Sequence, residues 1–222
     1  MTLRHEIKHE ITLSDMFALR GRLTAVASPD PHAPEGRYFV RSLYFDNVYD
    51  KALWDKINGV SKREKFRIRF YNGDTSHIRL EKKCKWDDLG SKQTAPLTPG
   101  QAAAIAQGDN AWLENAEHPL LRELYRKMLT EGIYPRSVVD YTREPFVYAP
   151  GNVRVTLDYD IRSGLCCEDF LSERCVTVPA SSSIILEVKW DEYLPDIIKR
   201  AVALDGRQAG AFSKYAVCRA FG

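Results

Sequence analysis

Five stretches of this chain alternate charged and apolar side chains with the period of a β-strand, so each presents one charged face and one greasy face. Arg63, Lys65, Arg67 and Arg69 share a face opposite Phe66, Ile68 and Phe70. Arg79, Glu81 and Lys83 oppose Ile78 and Leu80. Arg154, Thr156 and Asp158 oppose Val153, Val155 and Leu157, and Glu187 and Lys189 oppose Leu186, Val188 and Trp190. Near the start, Arg4, Glu6, Lys8 and Glu10 oppose Leu3, Ile7 and Ile11, with His5 and His9 on the second face. An antiparallel sheet with one solvated face would also alternate, and for any single strand that is the simpler reading. Two features argue for chemistry. The charged faces are rich in Arg, and their acids recur as Glu-x-Lys: Glu6/Lys8, Glu81/Lys83 and Glu187/Lys189. A chain of phosphates needs several fixed cations, Arg as a bidentate fork and Lys as a compact charge. Carboxylates among them would repel such a ligand unless Mg²⁺ or Mn²⁺ sat between, held by one or two carboxylates and by phosphate oxygens.

The elements that must position these residues are mostly strands. Strands are expected near Leu3–Ile11, Tyr38–Phe45, Arg63–Tyr71, His77–Lys85, Ser137–Tyr148, Val153–Asp160, Arg174–Val178 and Ser183–Trp190. Tyr71-Asn72-Gly73-Asp74 and Pro150-Gly151-Asn152 read as hairpin turns. Helices are expected from Ser14 or Asp15 to about Ala27, over Val48–Ile57, from Thr98-Pro99 through Ile105, over Asn115–Leu129, and from Leu194-Pro195 through Leu204. Ser28–Gly36 and Trp86–Gln93 read as loops, neither of them a domain linker, so residues 1–222 are taken as one domain. The expected architecture is mainly β: a closed antiparallel barrel of about eight strands, its polar faces lining a tunnel and its apolar faces covered by helices.

Composition limits the alternatives. The 32 basic and 30 acidic residues give a net charge of +2, too even for a general nucleic-acid coat, so any anion site must concentrate its charge locally. No apolar run reaches the ~20 residues of a membrane span, and the charged start Met1-Thr-Leu-Arg-His-Glu lacks a signal core; a cytoplasmic protein, or a soluble fragment of a larger one, is expected. Cys84, Cys166, Cys167, Cys175 and Cys218 follow no zinc spacing and read as reduced structural thiols. Trp54, Trp86, Trp112 and Trp190 read as packing groups, not base-stacking platforms.

The same segments resemble a known family. Arg4-His-Glu-Ile-Lys8, Arg41-Ser-Leu-Tyr-Phe-Asp46, Lys65-Phe-Arg-Ile-Arg69, Leu80-Glu-Lys-Lys83, Tyr141-Thr-Arg143, Val153-Arg-Val-Thr-Leu-Asp158, Leu186-Glu-Val-Lys189 and Ser213-Lys-Tyr215 occur in family order across nearly the whole chain. They resemble the VTC domain, the polyphosphate polymerase module of the vacuolar transporter chaperone complex and its prokaryotic relatives, within the triphosphate tunnel metalloenzymes. The resemblance implies a tunnel barrel, a divalent ion (Mn²⁺ or Mg²⁺), and transfer of the terminal phosphate of ATP onto inorganic polyphosphate. It implies that Lys8, Arg41, Arg67, Arg69, Lys83, Lys92, Arg143, Arg154, Lys189 and Lys214 hold phosphates. Among these, Lys8, Arg67, Arg69, Lys83, Arg154, Lys189 and Lys214 would serve catalysis. Glu187 would be the leading metal ligand, with Glu6, Glu81 and Asp158 beside it. The wider superfamily's Glu-x-Glu-x-Lys is here Arg4-x-Glu6-x-Lys8, a loss of one acid that agrees better with a polymerase than with a two-metal hydrolase. No SPX domain or membrane segment is expected with this chain, and so no inositol-phosphate regulation or coupled translocation. A tunnel enzyme hydrolysing triphosphate or nucleoside triphosphates, and a non-catalytic polyphosphate-binding barrel, remain as alternatives.

Overall fold

Capping chemistry and alternation between them place most of the elements. A computed structural model describes residues 4–33, 35–86 and 89–220. β1 (His5–Ile11) leads into α1 (Leu13–Val26), whose cap is Thr12: its hydroxyl accepts from Asp15 N at 3.2 Å while the Asp15 carboxylate accepts from Thr12 N at 2.9 Å. The expected cap residue Asp15 is thus the reciprocal partner inside the first turn. β2 (Ser28–Pro29) and β3 (Tyr38–Asp46) precede the short α2 (Lys51–Ile57), which Asn58 and the positive-φ Gly59 end. β4 (Lys62–Tyr71) and β5 (Asp74–Trp86) meet at Asn72 and Gly73, both at positive φ, the twist that a two-residue hairpin needs.

β6 (Leu89–Leu97) occupies much of the region expected to be a loop; Asp87 and Asp88 lie outside the described residues. α3 (Pro99–Ala106) starts at a second capping box, Thr98 with Gln101. α4 (Pro119–Glu131) begins later than expected, because a 3-10 turn at Ala111–Asn115 and then Pro119 come first. β7 (Tyr134–Tyr148), β8 (Val153–Gly164), β9 (Thr177–Ser181) and β10 (Ile184–Trp190) follow, then α5 (Asp196–Ala201) and α6 (Lys214–Arg219).

Among the described residues ten strands form one sheet, and the antiparallel ladder runs β1-β10-β8-β7-β3-β4-β5-β6, with β2 on β7 and β9 on β8. Among the described residues β1 and β6 end this path without pairing to each other. The sheet is therefore open, which corrects the closed barrel expected from the sequence. Alternation tells which face of a strand is polar; it does not tell whether the two end strands meet.

Contacts divide the chain into two compact units. The first takes the N-terminal residues through Phe39 with Tyr141–Ile161 and Ser181–Ser213. The second takes Val40–Asp140, Arg162–Ala180 and the residues from Lys214 on. In the first, Val153, Val155, Leu157, Leu186 and Val188 pack with Met16, Leu19 and Leu23 of α1 and Ile198 of α5. In the second, Leu43, Phe66, Ile68, Phe70, Ile78 and Leu80 pack with Ala102 and Ile105 of α3 and Leu120, Leu121 and Leu124 of α4. In each unit the apolar strand faces named from sequence are the ones the helices cover, and the charged faces point the other way.

Candidate functional site

The second unit gathers several cations on one face. Register sets Tyr44 opposite Arg67, Arg67 opposite Glu81, and Glu81 opposite Thr94. Two residues along, Ser42 faces Arg69 and Arg69 faces Arg79. In the other direction Lys65, Lys83 and Lys92 form a row across β4, β5 and β6. Like charges directly opposite one another weaken a sheet, on a scale of roughly 0.2–1 kcal/mol per pair.

Glu81, a carboxylate among these cations, is only 3% exposed. Arg67 reaches its Oε2 through Nε at 2.6 Å and Nη2 at 2.5 Å, and the Lys92 ammonium lies 2.7 Å from Oε1. Burial pushes the Glu81 carboxyl up, but Arg67, Arg69 and Lys92 together hold it well below the ordinary carboxylate range. Arg67 Nη1 donates to the Tyr44 hydroxyl at 3.0 Å, and Arg69 Nε donates to Ser42 Oγ at 2.8 Å. Burial alone would raise the Tyr44 phenol; Arg67, Lys65 and Arg69 outweigh it and bring the group down to about 7. Tyr44 stacks on Tyr215, whose hydroxyl donates to Asp46 at 2.7 Å, and Lys214 precedes that tyrosine at the start of α6. Sequence reasoning did not place Tyr44 or Ser42 in the site, although their parity on β3 puts them on the same face.

The first unit holds a second, balanced cluster. Lys8 stands opposite Glu187 and Glu187 opposite Thr156; Glu6 stands opposite Lys189 and Lys189 opposite Arg154. The Lys8 ammonium lies 2.7 Å from Glu6 and 3.2 Å from Glu187, while Lys189 lies 3.1 Å from Glu187 and 3.6 Å from Glu6. Arg143 grips the buried Asp158 with a fork of 2.6 and 2.7 Å and touches Glu187 at 3.4 Å. Arg154 bonds Asp30 at 2.6 Å and the Tyr38 hydroxyl at 2.9 Å. Burial works against charge on Lys8, yet Glu187 and Glu6 hold its ammonium well above the ordinary value. Burial and the Glu187 charge push Glu6 up, and Lys8 with Lys189 still hold it low.

Among the described residues no group of three or more His, Cys, Asp and Glu side chains is gathered to hold a metal. A divalent ion shared with phosphates needs fewer ligands from the protein. Asp158 has both oxygens on Arg143, and Glu81 has its two on Arg67 and Lys92. Glu6 and Glu187 are nearer the requirement: two carboxylates close enough to share Lys8 and Lys189, whose ammonium groups a bound cation could displace. Arg41 joins neither cluster. It lies on the other face of β3, held by Asp140 at 2.9 Å and by the Ser172 carbonyl at 2.9 Å.

A family model described as the VTC domain matches residues 3–221. No curated protein gives a significant sequence match. Two solved structures share the fold at low identity. The PH1012 protein from Pyrococcus horikoshii OT3 is 11% identical, with a TM-score of 0.52 over 98% of this chain and 99% of its own. A Bacillus halodurans protein described as a candidate adenylate cyclase is also 11% identical, with a TM-score of 0.53 over 85% of this chain and 80% of its own. No helix among the described residues is long and apolar enough to cross a membrane.

Proposed function

This chain belongs to the VTC domain family, and from that premise we propose that it is a polyphosphate polymerase, moving the terminal phosphoryl group of ATP onto a growing inorganic polyphosphate chain. The observation that carries the reading is the row Lys65, Lys83 and Lys92 beside Arg67 and Arg69. A chain of phosphates offers a charge at each rung of such a row, for which Arg supplies forks and Lys compact charges. In the reaction, an oxygen at the end of the chain bonds to the terminal phosphorus of ATP while the bridging bond to ADP breaks. Phosphoryl transfer of this kind asks the protein mainly for position and charge. Arg67 and Arg69 would orient neighbouring phosphates, and Lys8, Lys83, Arg143, Arg154, Lys189 and Lys214 would neutralise and hold others. Glu6 and Glu187 would hold a Mn²⁺ or Mg²⁺ ion; when bound, it would neutralise charge on the phosphate oxygens.

Hydrolysis would use water in place of the chain end as nucleophile. Arg4 stands where the two-metal hydrolase pattern Glu-x-Glu-x-Lys has its first acid, which favours transfer to a phosphate chain. The test is incubation with ATP and Mn²⁺ followed by separation of products by size. Long chains are expected; orthophosphate alone would mean a triphosphatase, and no turnover a binding protein. In Glu187→Gln, turnover should collapse while metal-free binding of polyphosphate survives. Normal metal-dependent turnover in that variant would remove Glu187 from the metal site.

A further inference from the structure

Two buried polar atoms on β8 have no hydrogen-bond partner among the described residues: Thr156 Oγ1 and Arg154 Nε. Thr156 is 2% exposed, and it stands two residues from Arg154 on the same face of the strand. A buried hydroxyl or N–H without a partner costs roughly 1–3 kcal/mol, so its presence asks for an explanation. Trp112 Nε1 is also unpaired, but it lies against the apolar core. Thr156 sits directly opposite Glu187, and Arg154 directly opposite Lys189, inside the charged cluster of the first unit.

We infer that the Thr156 hydroxyl and the Arg154 Nε–H together form a subsite for a non-bridging phosphoryl oxygen of a triphosphate or polyphosphate. The chemistry of the two atoms selects the ligand. The Nε–H of an arginine can only donate, so the missing partner is an acceptor, and a metal ion would leave it unmet. A hydroxyl can turn its proton to the same acceptor. Arg154 Nη2 is already committed to Asp30 and Tyr38, which fixes the plane of the guanidinium and leaves Nε for the ligand. Lys189 and Arg143 bond Glu187, the residue opposite Thr156, so that carboxylate's charge is met within the protein and an anionic oxygen can face the Arg154 guanidinium. The inference rests on the phosphate-chain reading of the site and adds to it a neutral side chain that senses an oxygen atom, where the cations sense only charge.

The test is calorimetric titration of inorganic triphosphate into the wild-type protein, Thr156→Val and Thr156→Ser, each with Mg²⁺ and with EDTA, alongside thermal melts of the ligand-free proteins. Valine matches the shape of threonine and removes only the hydroxyl. Thr156→Val should melt no lower than wild type, since an unmet group has gone, yet bind triphosphate roughly 10- to 100-fold more weakly, with and without Mg²⁺. Thr156→Ser should bind like wild type. Equal affinity in Thr156→Val would overturn the subsite and leave the polymerase reading intact. So would a lower melting temperature without ligand, which would show that the hydroxyl serves the fold. A loss confined to the Mg²⁺ titrations would make Thr156 a metal ligand and overturn it as well. If wild type itself binds no triphosphate, the subsite and the polymerase reading fall together.

Discussion

Arg67 and Arg69 lie two residues apart on one face, 9% and 7% exposed, and this is the scale at which phosphate binding is decided. Arg67→Ala or Arg69→Ala should each weaken triphosphate binding by about 1.5–3 kcal/mol, the worth of a hydrogen bond to a charged group. Arg67 also carries the charge of buried Glu81, so Arg67→Ala should cost stability too; unchanged affinity in folded variants would remove β4 from the site. Glu81 itself sets a pH dependence. Its carboxyl is lower in the folded chain than its ordinary 4.5, so its stabilisation is complete above that value and fades as pH falls toward the folded value. Melting temperature should therefore drop on acidification below about 4.5 in wild type, and drop less in Glu81→Gln, which starts from a lower plateau. Tyr44, brought to about 7 by its cations, should give a tyrosinate absorbance near neutral pH that disappears in Tyr44→Phe and moves to higher pH when triphosphate binds. A tyrosine titration confined to high pH would contradict the arrangement around Arg67.

Elements differ in how plainly they are written in the sequence. The strands of the two charged faces were legible because their alternation is strict, and the helices because Thr98-Pro99 and the residues around Asp15 carry capping chemistry. β6 was not legible. It contains Gly90 and Pro96, both uncommon in strands, and its remaining residues are mostly small or polar. It forms as an edge strand on β5, where a proline is tolerated because one side of the strand needs no donor. The polarity that suggested a loop is the polarity of its charged face, and it brings Lys92 to Glu81. β9 begins three residues later than expected, at Thr177. The turn between β7 and β8 offers a test at this scale. Gly151 has φ +73°, and an added Cβ would lie 2.5 Å from the Tyr193 carbonyl oxygen. Gly151→Ala should lower stability by more than the ~1 kcal/mol of an ordinary glycine replacement, read as a drop in denaturant midpoint. A midpoint within error of wild type would mean the turn relaxes freely.

The whole molecule hides its charge pattern behind a net charge of +2. In the first unit Lys8, Lys189, Arg143 and Arg154 are matched by Glu6, Glu187, Asp158 and Asp30. In the second unit Lys65, Arg67, Arg69, Lys83 and Lys92 share a face with Glu81. Parity in the sequence was enough to find both faces, because each side chain's face is fixed by its position in the strand. Closure of the sheet was out of reach, because it depends on whether β1 and β6 pair, and neither strand's alternation bears on that. In the proposed reaction the terminal phosphate of ATP enters a chain. Phosphorus NMR of the protein with ATP and Mg²⁺ measures this in one tube. One chain-internal phosphate should be gained for each ADP released. ADP matched by orthophosphate alone, with no chain-internal signal, would contradict it.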